Sequence, residues 1–231
     1  MPSSIPDYAA DGFALFEDVL APDEIAALVR LLPENVAGLR NLLPKIPGIR
    51  ELAGGPQLRA LLTRLGGGPA RPVRAVFFDK NPAHNWKVPW HQDLTIAVRK
   101  HHEVPDFGPC SLKEGVPHVQ PPAALLARMV ILCLHLDDCN AANGALRVHP
   151  GSHLHGRLDA EALTRWDRAP ESICTVRAGG VVALRPLLLH ASLPARTPRH
   201  RRVIHLEYSP DPLPSPLEWR DSEFSALEMT Q

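Results

Sequence analysis

The sequence carries no net charge, no Cys-x-x-Cys pair, no unbroken apolar run of membrane length and no internal repeat. Each absence closes off a class of protein. Lys plus Arg and Asp plus Glu stand at 25 each, and this balance argues against nucleic acid or an anionic membrane as the main partner, since both select a basic face. The four cysteines are scattered, and the N-terminus has no apolar signal-peptide core. The expectation is therefore a reduced, cytoplasmic protein with unpaired, mostly buried thiols. Apolar runs such as "PPAALLARMVILCLHL" are broken by Arg128 or by proline, so none reads as a membrane span. Without repeats or a linker, residues 1–231 are expected to form a single domain.

What is present points to strands. Apolar residues make up 45% of the chain, enough for a substantial core, and its 25 prolines suit short strands and constrained loops better than helices. Two amphipathic stretches come first. "LAPDEIAALVRLLPE" predicts a helix from about 22 to 32, with Pro22 and two acids in its first turn. "GGPQLRALLTRLGGG" repeats the design and stops at Gly66–Gly68. Beyond residue 70 the pattern becomes β-rich: "VRAVFFDK", "LTIAV", "RMVILCLHLDD", "GALRVHP", "ICTVRAGGVVALRP" and "RRVIHLEYS", with an Asn143–Gly144 turn between two of them. Helices followed by many strands, without βαβ alternation, indicate an α+β protein built on a sandwich or jelly roll. Residues 99–122 show no clear period and contain several prolines, which makes them a candidate lid over a pocket.

The chemistry concentrates in "NWKVPWHQD". On a strand, His91 and Asp93 would share a face with Cα atoms roughly 6.6 Å apart, close enough to grip one metal ion. The triplet alone is weak evidence, because 12 histidines and 13 aspartates in 231 residues give about 0.7 His-x-Asp by chance. A second triplet, His135-Leu136-Asp137, does exist. A third ligand is found in His190, which ends the apolar segment "GGVVALRPLLLH" and would be costly to bury unpaired. Two histidines and one carboxylate leave open positions, as in non-haem Fe(II) oxygenases. Downstream, Arg201, Val203, His205 and Glu207 share one strand face that is too polar for a β core, so it is expected to face a cavity where Arg201 could anchor a carboxylate. Ser192 lies two residues past His190.

These pieces, "FFDKNPAHNWKVPWHQD", "LHLDDCNAANGALRVHPGSH" and "LLLHASLPARTPRHRRVIHLEYS", resemble the phytanoyl-CoA dioxygenase-like family of Fe(II)- and 2-oxoglutarate-dependent oxygenases over about residues 12–209. The resemblance implies a double-stranded β-helix (jelly-roll) core over about 70–210, flanked by N-terminal helices. It implies His91, Asp93 and His190 as iron ligands and catalytic residues, with Arg201 and Ser192 holding 2-oxoglutarate and Lys80 contacting it. The reaction implied uses O2 and 2-oxoglutarate to hydroxylate a small molecule, giving succinate and CO2. Asp93 favours hydroxylation over halogenation, since related halogenases lack this carboxylate. The second His-x-Asp falls where the family does not ligate metal, and His149, His153 and His155 are expected in turn or surface hydrogen bonding. Departures are Ala191 where glycine is common and Cys133 where some members carry tryptophan. Nothing in the chain is assignable to coenzyme A, which argues against phytanoyl-CoA itself as substrate.

Two other readings compete. A zinc hydrolase could use the same three ligands with Glu207 as general base, although it leaves Ser192 and Arg201 unexplained. A cupin-like, non-catalytic binding module would tolerate loss of Asp93. Candidate substrate contacts are His205, Glu207 and Trp86, while Gln92 should point away from the ligands.

Overall fold

The computed structural model describes residues 7–66, 68–166 and 169–221. In chain order the elements are α1 (Tyr8–Asp11), β1 (Phe13–Phe16), α2 (Pro22–Leu31), β2 (Gly38–Arg40), α3 (Leu42–Lys45), α4 (Pro47–Gly54) and α5 (Pro56–Arg64). There follow β3 (Arg71–Lys80), β4 (Val88–His91), β5 (Ile96–Ala97), β6 (Cys110–Lys113), β7 (Val116–Val119), α6 (Ala123–Arg128), β8 (Val130–His135) and β9 (Leu146–Val148). The last are α7 (Ala160–Trp166), β10 (Ser172–Cys174), β11 (Val181–Leu184), β12 (His190–Ser192) and β13 (Arg201–Ser209). Among the described residues, no helix is long and apolar enough to cross a membrane.

Both predicted helices are present, as α2 and α5, each opened by proline at its first turn. Glu24 reaches back to accept from the Ala21 amide at 2.8 Å, which satisfies one of the orphan donors of α2. The strands form a six-stranded sheet in the order β1-β11-β8-β13-β3-β2 and a four-stranded sheet in the order β10-β9-β12-β4. All pairs are antiparallel. Together they make the jelly-roll core, with α2–α5 packed on the outer face of the six-stranded sheet.

Alternation along β8 and β13 sorts the core into two layers. Leu132, Leu134, Ile204, Leu206 and Tyr208 pack outward against Leu42, Ile49 and Leu58 of the helices. Ile131, Cys133 and Val203 point inward and meet Val148, Cys174 and Val182 between the sheets. Each fully buried side chain of this size contributes roughly 1.5–3 kcal/mol, so the helical layer fixes the large sheet firmly. The inward positions that are not apolar, His135, Arg201 and His205, are then left to line a cavity.

Three segments differ from the sequence expectation. "GGVVALRPLLLH" is not one strand: β11 ends at Leu184, Pro186 turns the chain, and His190 opens β12 in the other sheet. Likewise "ICTVRAGGVVALRP" divides into β10 and β11, which lie in different sheets. Within 99–122, β6 and β7 form a hairpin joined to β5 in a three-stranded sheet. Its two-residue turn, Glu114–Gly115, has φ values of 50° and 76°, the left-handed pair such a turn demands. Burial of Val116, His118 and Val119 obscured the alternation that would have marked the strand.

The Asn143–Gly144 turn links the two sheets instead of closing a hairpin, because β8 and β9 belong to different sheets. Gly144 has φ +79°, and a Cβ there would sit 2.5 Å from the Leu193 carbonyl oxygen and 3.3 Å from Lys80 Nζ. Gly144→Ala is expected to lower stability by about 1–3 kcal/mol, the usual penalty of left-handed strain, read from the midpoint of urea unfolding. An unchanged midpoint would show that this turn relaxes freely.

Candidate active site

β4 and β12 are antiparallel neighbours with His190 directly opposite His91. Their ring centroids are 4.2 Å apart and tilted by 53°. Asp93 lies two residues past the end of β4, so it is not on a regular strand. Its amide donates to the Pro186 carbonyl at 2.9 Å, which turns the carboxylate back toward the histidines. Asp93 Oδ1 stands 3.9 Å from His91 Nε2, and Oδ2 stands 3.7 Å from His190 Nε2. One ligand atom from each of the three residues falls within 4.8 Å of the others. Among the described residues this is the one such group.

The imidazoles are held in the correct tautomer. His91 Nδ1 meets the Pro89 carbonyl at 2.9 Å and His190 Nδ1 meets the Leu188 carbonyl at 2.8 Å. A carbonyl only accepts, so each Nδ1 carries the proton and each Nε2 presents a lone pair. Burial pushes the His190 pKa down to about 4 despite the opposing pull of Asp93, which keeps that ring neutral as a ligand must be. Burial also works against ionising Asp93, but His190, His205, His91 and Arg74 together hold its carboxyl below the ordinary value. The Pro150–His153 stretch secures the strand behind this: Ser152 Oγ accepts from the Leu189 amide at 2.8 Å, and the His149 amide donates to the Leu189 carbonyl at 3.0 Å. Gln92 faces away, donating to the Gly156 and Leu187 carbonyls and accepting from Leu158 N.

A cavity of about 140 Å³ opens beside the three residues. Arg201 and Ser192 line it. Arg201 is buried at 8% exposure, and its Nε has no hydrogen-bond partner. Among the described residues no carboxylate pairs with it; Nη1 reaches only Cys139 Sγ at 4.0 Å. Asp93 Oδ2 is likewise buried without a hydrogen bond. An orphan cation and an orphan anion on one cavity fit a bound carboxylate and a bound metal, since such groups are not otherwise left unpaired. Lys80, paired with Arg201 across β3 and β13, does not line the cavity. Its Nζ donates to Ser192 Oγ at 2.8 Å and to the Leu193 carbonyl at 2.7 Å, leaving the Ser192 hydroxyl proton free to point elsewhere. Burial and then Arg201 push the Lys80 amine down to about 7.

His205 and Trp86 line the cavity, and His205 Nε2 lies 3.8 Å from Asp93 Oδ2. Glu207 stands behind His205 at 3.7 Å and is held by Arg74 Nη1 at 2.7 Å. The second triplet does not converge: Asp137 makes a two-pronged pair with Arg202 at 2.6 and 2.8 Å, while His135 faces the cavity. His149 and His153 hydrogen-bond the Pro170 and Ala9 carbonyls, and His155 packs on Trp166. Cys133, Cys139 and Cys174 are free buried thiols, while Cys110 is free and exposed. Burial raises the pKa of the three buried thiols, so they behave as small apolar residues.

Sequence reasoning missed Lys113. It projects from the β6–β7 hairpin, donates to Thr95 Oγ1 at 2.8 Å, and has a pKa lowered by burial, with Arg74 and Arg40 adding to the shift and Asp93 and Glu207 opposing it. No local motif marks it; only the hairpin brings it near the site.

A jelly roll with two histidines and one aspartate at a cavity, and a buried arginine beside them, defines the class of non-haem metal oxygenases. The model of the phytanoyl-CoA dioxygenase (PhyH) family matches residues 57–203, and the chain belongs to that family. Iron and 2-oxoglutarate are the groups this family carries, and the residues present fit both. No curated protein shows significant similarity to the chain. Among solved structures, AviO1 from Streptomyces viridochromogenes Tue57 is 26% identical, with 93% of this chain and 100% of that one covered at a TM-score of 0.64. HygX from Streptomyces hygroscopicus with nickel and 2-oxoglutarate bound is 18% identical, covering 88% and 84% at 0.64. The epimerase SnoN in complex with Fe3+, alpha ketoglutarate and nogalamycin RO is 16% identical, covering 97% and 89% at 0.66.

Proposed function

We propose that the chain acts as one oxygenase domain that hydroxylates a small organic molecule, with 2-oxoglutarate and O2 consumed and succinate and CO2 released. The observation that carries this reading is the meeting of His91, Asp93 and His190 on a cavity that also holds the unpaired Arg201. His91, Asp93 and His190 would hold the iron, and Arg201 with Ser192 would hold the distal carboxylate of 2-oxoglutarate. Iron and the keto acid supply the oxidising chemistry when bound. The protein orients the reactants and keeps water away from them.

Each surrounding residue has a task that its position supports. The Arg201 guanidinium, buried on the cavity and unpaired at Nε, can grip a carboxylate in a forked, charge-assisted pair. Lys80 acts through Ser192: by donating to Oγ it turns the hydroxyl proton toward the cavity. It is a positioning residue, not a direct contact. His205 and Trp86 are placed to touch the substrate, and Lys113 on its hairpin is tied to Thr95, two residues past Asp93. The hairpin within 99–122 is the candidate cover of the cavity. Glu207 serves the site by holding Arg74 behind His205.

That last pair also weighs against a zinc hydrolase. Glu207 was the candidate base, but its Oε1 is engaged by Arg74 at 2.7 Å and it does not line the cavity. A general base must reach the proton it takes, and Glu207 is not placed to do so.

The test is succinate formation by protein loaded anaerobically with Fe(II) and then given 2-oxoglutarate and O2. Succinate is expected only when all three are present, and added substrate should emerge with one oxygen atom from O2. Hydrolysis without 2-oxoglutarate would overturn the reading, and a product that is epimerised or cyclised without gaining oxygen would overturn hydroxylation.

A further inference from the structure

Among the described residues, His135 is the one histidine with both ring nitrogens buried and unpaired. It is buried at 2% exposure, and neither ring nitrogen has a hydrogen-bond partner. A buried imidazole always carries at least one N–H, so at least one donor is left unmet, at a cost in free energy that native proteins rarely accept. Its chain neighbour Asp137 offers no relief, because both oxygens are committed to Arg202.

The register shows where the ring sits. His135 lies opposite Val203 in the β8–β13 pair, and Arg201 is two residues from Val203 on the same face. His135 and Arg201 are therefore diagonal neighbours on adjacent strands. Both line the cavity that Ser192 also lines. Two independent donors, the His135 ring and Arg201 Nε, thus go unmet at one place. A carboxylate has about four acceptor positions, more than one guanidinium fork fills.

We propose that His135 is a further cosubstrate-binding residue, donating a hydrogen bond to the distal carboxylate of 2-oxoglutarate alongside Arg201 and Ser192. This rests on the oxygenase reading above. It gives the inward-facing histidine of the discounted second triplet a role in holding the keto acid, with no part in holding metal.

The experiment compares two ligands that differ only at the carboxylate in question: 2-oxoglutarate and 2-oxovalerate, which carries a methyl group there. Each is titrated calorimetrically, without O2, into the Fe(II)-loaded wild-type protein and into His135→Leu. The expected result is that His135→Leu weakens 2-oxoglutarate binding by about tenfold or more, the loss of one hydrogen bond to a charged group, and leaves 2-oxovalerate binding unchanged. A merely structural role would weaken both ligands alike. Wild-type protein is also examined by NMR in its zinc-loaded form with labelled histidine. A slowly exchanging His135 ring N–H should appear with 2-oxoglutarate and be absent with 2-oxovalerate, and this readout stands even where His135→Leu does not fold. Equal 2-oxoglutarate affinity in wild type and variant, or no such N–H signal, would overturn the inference while leaving the oxygenase reading intact. If wild-type protein binds no 2-oxoglutarate at all, both fail together.

Discussion

Asp93→Ala is expected to abolish succinate formation and to weaken Fe(II) binding by more than about 100-fold, since loss of an outer partner of a metal ligand alone commonly costs 10–100-fold. The variant should nevertheless fold. Asp93 Oδ2 makes no hydrogen bond, and the anchoring contact to the Pro186 carbonyl comes from the backbone amide, which alanine keeps. This separates a ligand from a structural acid. Wild-type protein at a metal concentration about 100 times its dissociation constant should gain about 2.7 kcal/mol of stability, visible as a rise in Tm, because the ion binds only the folded chain. Asp93→Ala should show no such rise. A variant that unfolds without metal, or that keeps the metal-induced shift, contradicts the assignment. Absence of succinate formation in both wild type and Asp93→Ala, with ligand binding unaltered by the change, would return the site to the non-catalytic binding module.

Arg201→Met carries the second large effect, and it runs in opposite directions for binding and stability. Without the guanidinium, 2-oxoglutarate should bind roughly 100-fold or more weakly, as when a buried ion pair loses one partner. In the ligand-free protein the same change removes a buried charge whose Nε is unpaired, so stability should hold or rise. Equilibrium unfolding in urea and titration of 2-oxoglutarate into the metal-loaded variant check the two halves separately. Arg201→Lys should fall between, retaining charge but losing the fork. Were Arg201 chiefly structural, Arg201→Met would lose stability and leave keto-acid affinity unaltered.

How far the sequence could take this is clearest residue by residue. The grouping of His91, Asp93 and His190 was legible because imidazole and carboxylate are costly to bury without a purpose, and His190 stood alone at the end of an apolar run. The inward turn of Arg201 was legible from alternation: β13 keeps period 2, so a face of Arg201, Val203 and His205 had to meet something polar. The path of the chain between these points was not. Pro186 breaks the run before His190, and only the three-dimensional pairing reveals that His190 belongs to β12 beside β4 and not to the end of β11. Asp93 reaches the histidines from beyond its strand through one backbone hydrogen bond, a detail no spacing rule supplies. His135 and Lys113 escaped for different reasons. His135 was set aside with its triplet, since a missing hydrogen bond cannot be seen in a linear pattern. Lys113 depends on a hairpin whose strands do not alternate: β7 is buried on both faces and β6 is largely exposed on both.

The most direct test of the whole account is a crystal structure of the protein soaked without O2 in Fe(II) and 2-oxoglutarate. One ion should lie about 2 Å from His91 Nε2, His190 Nε2 and an Asp93 oxygen, with the keto acid's far carboxylate against Arg201. An ion bound elsewhere, or a keto acid whose far carboxylate does not reach Arg201, would contradict it.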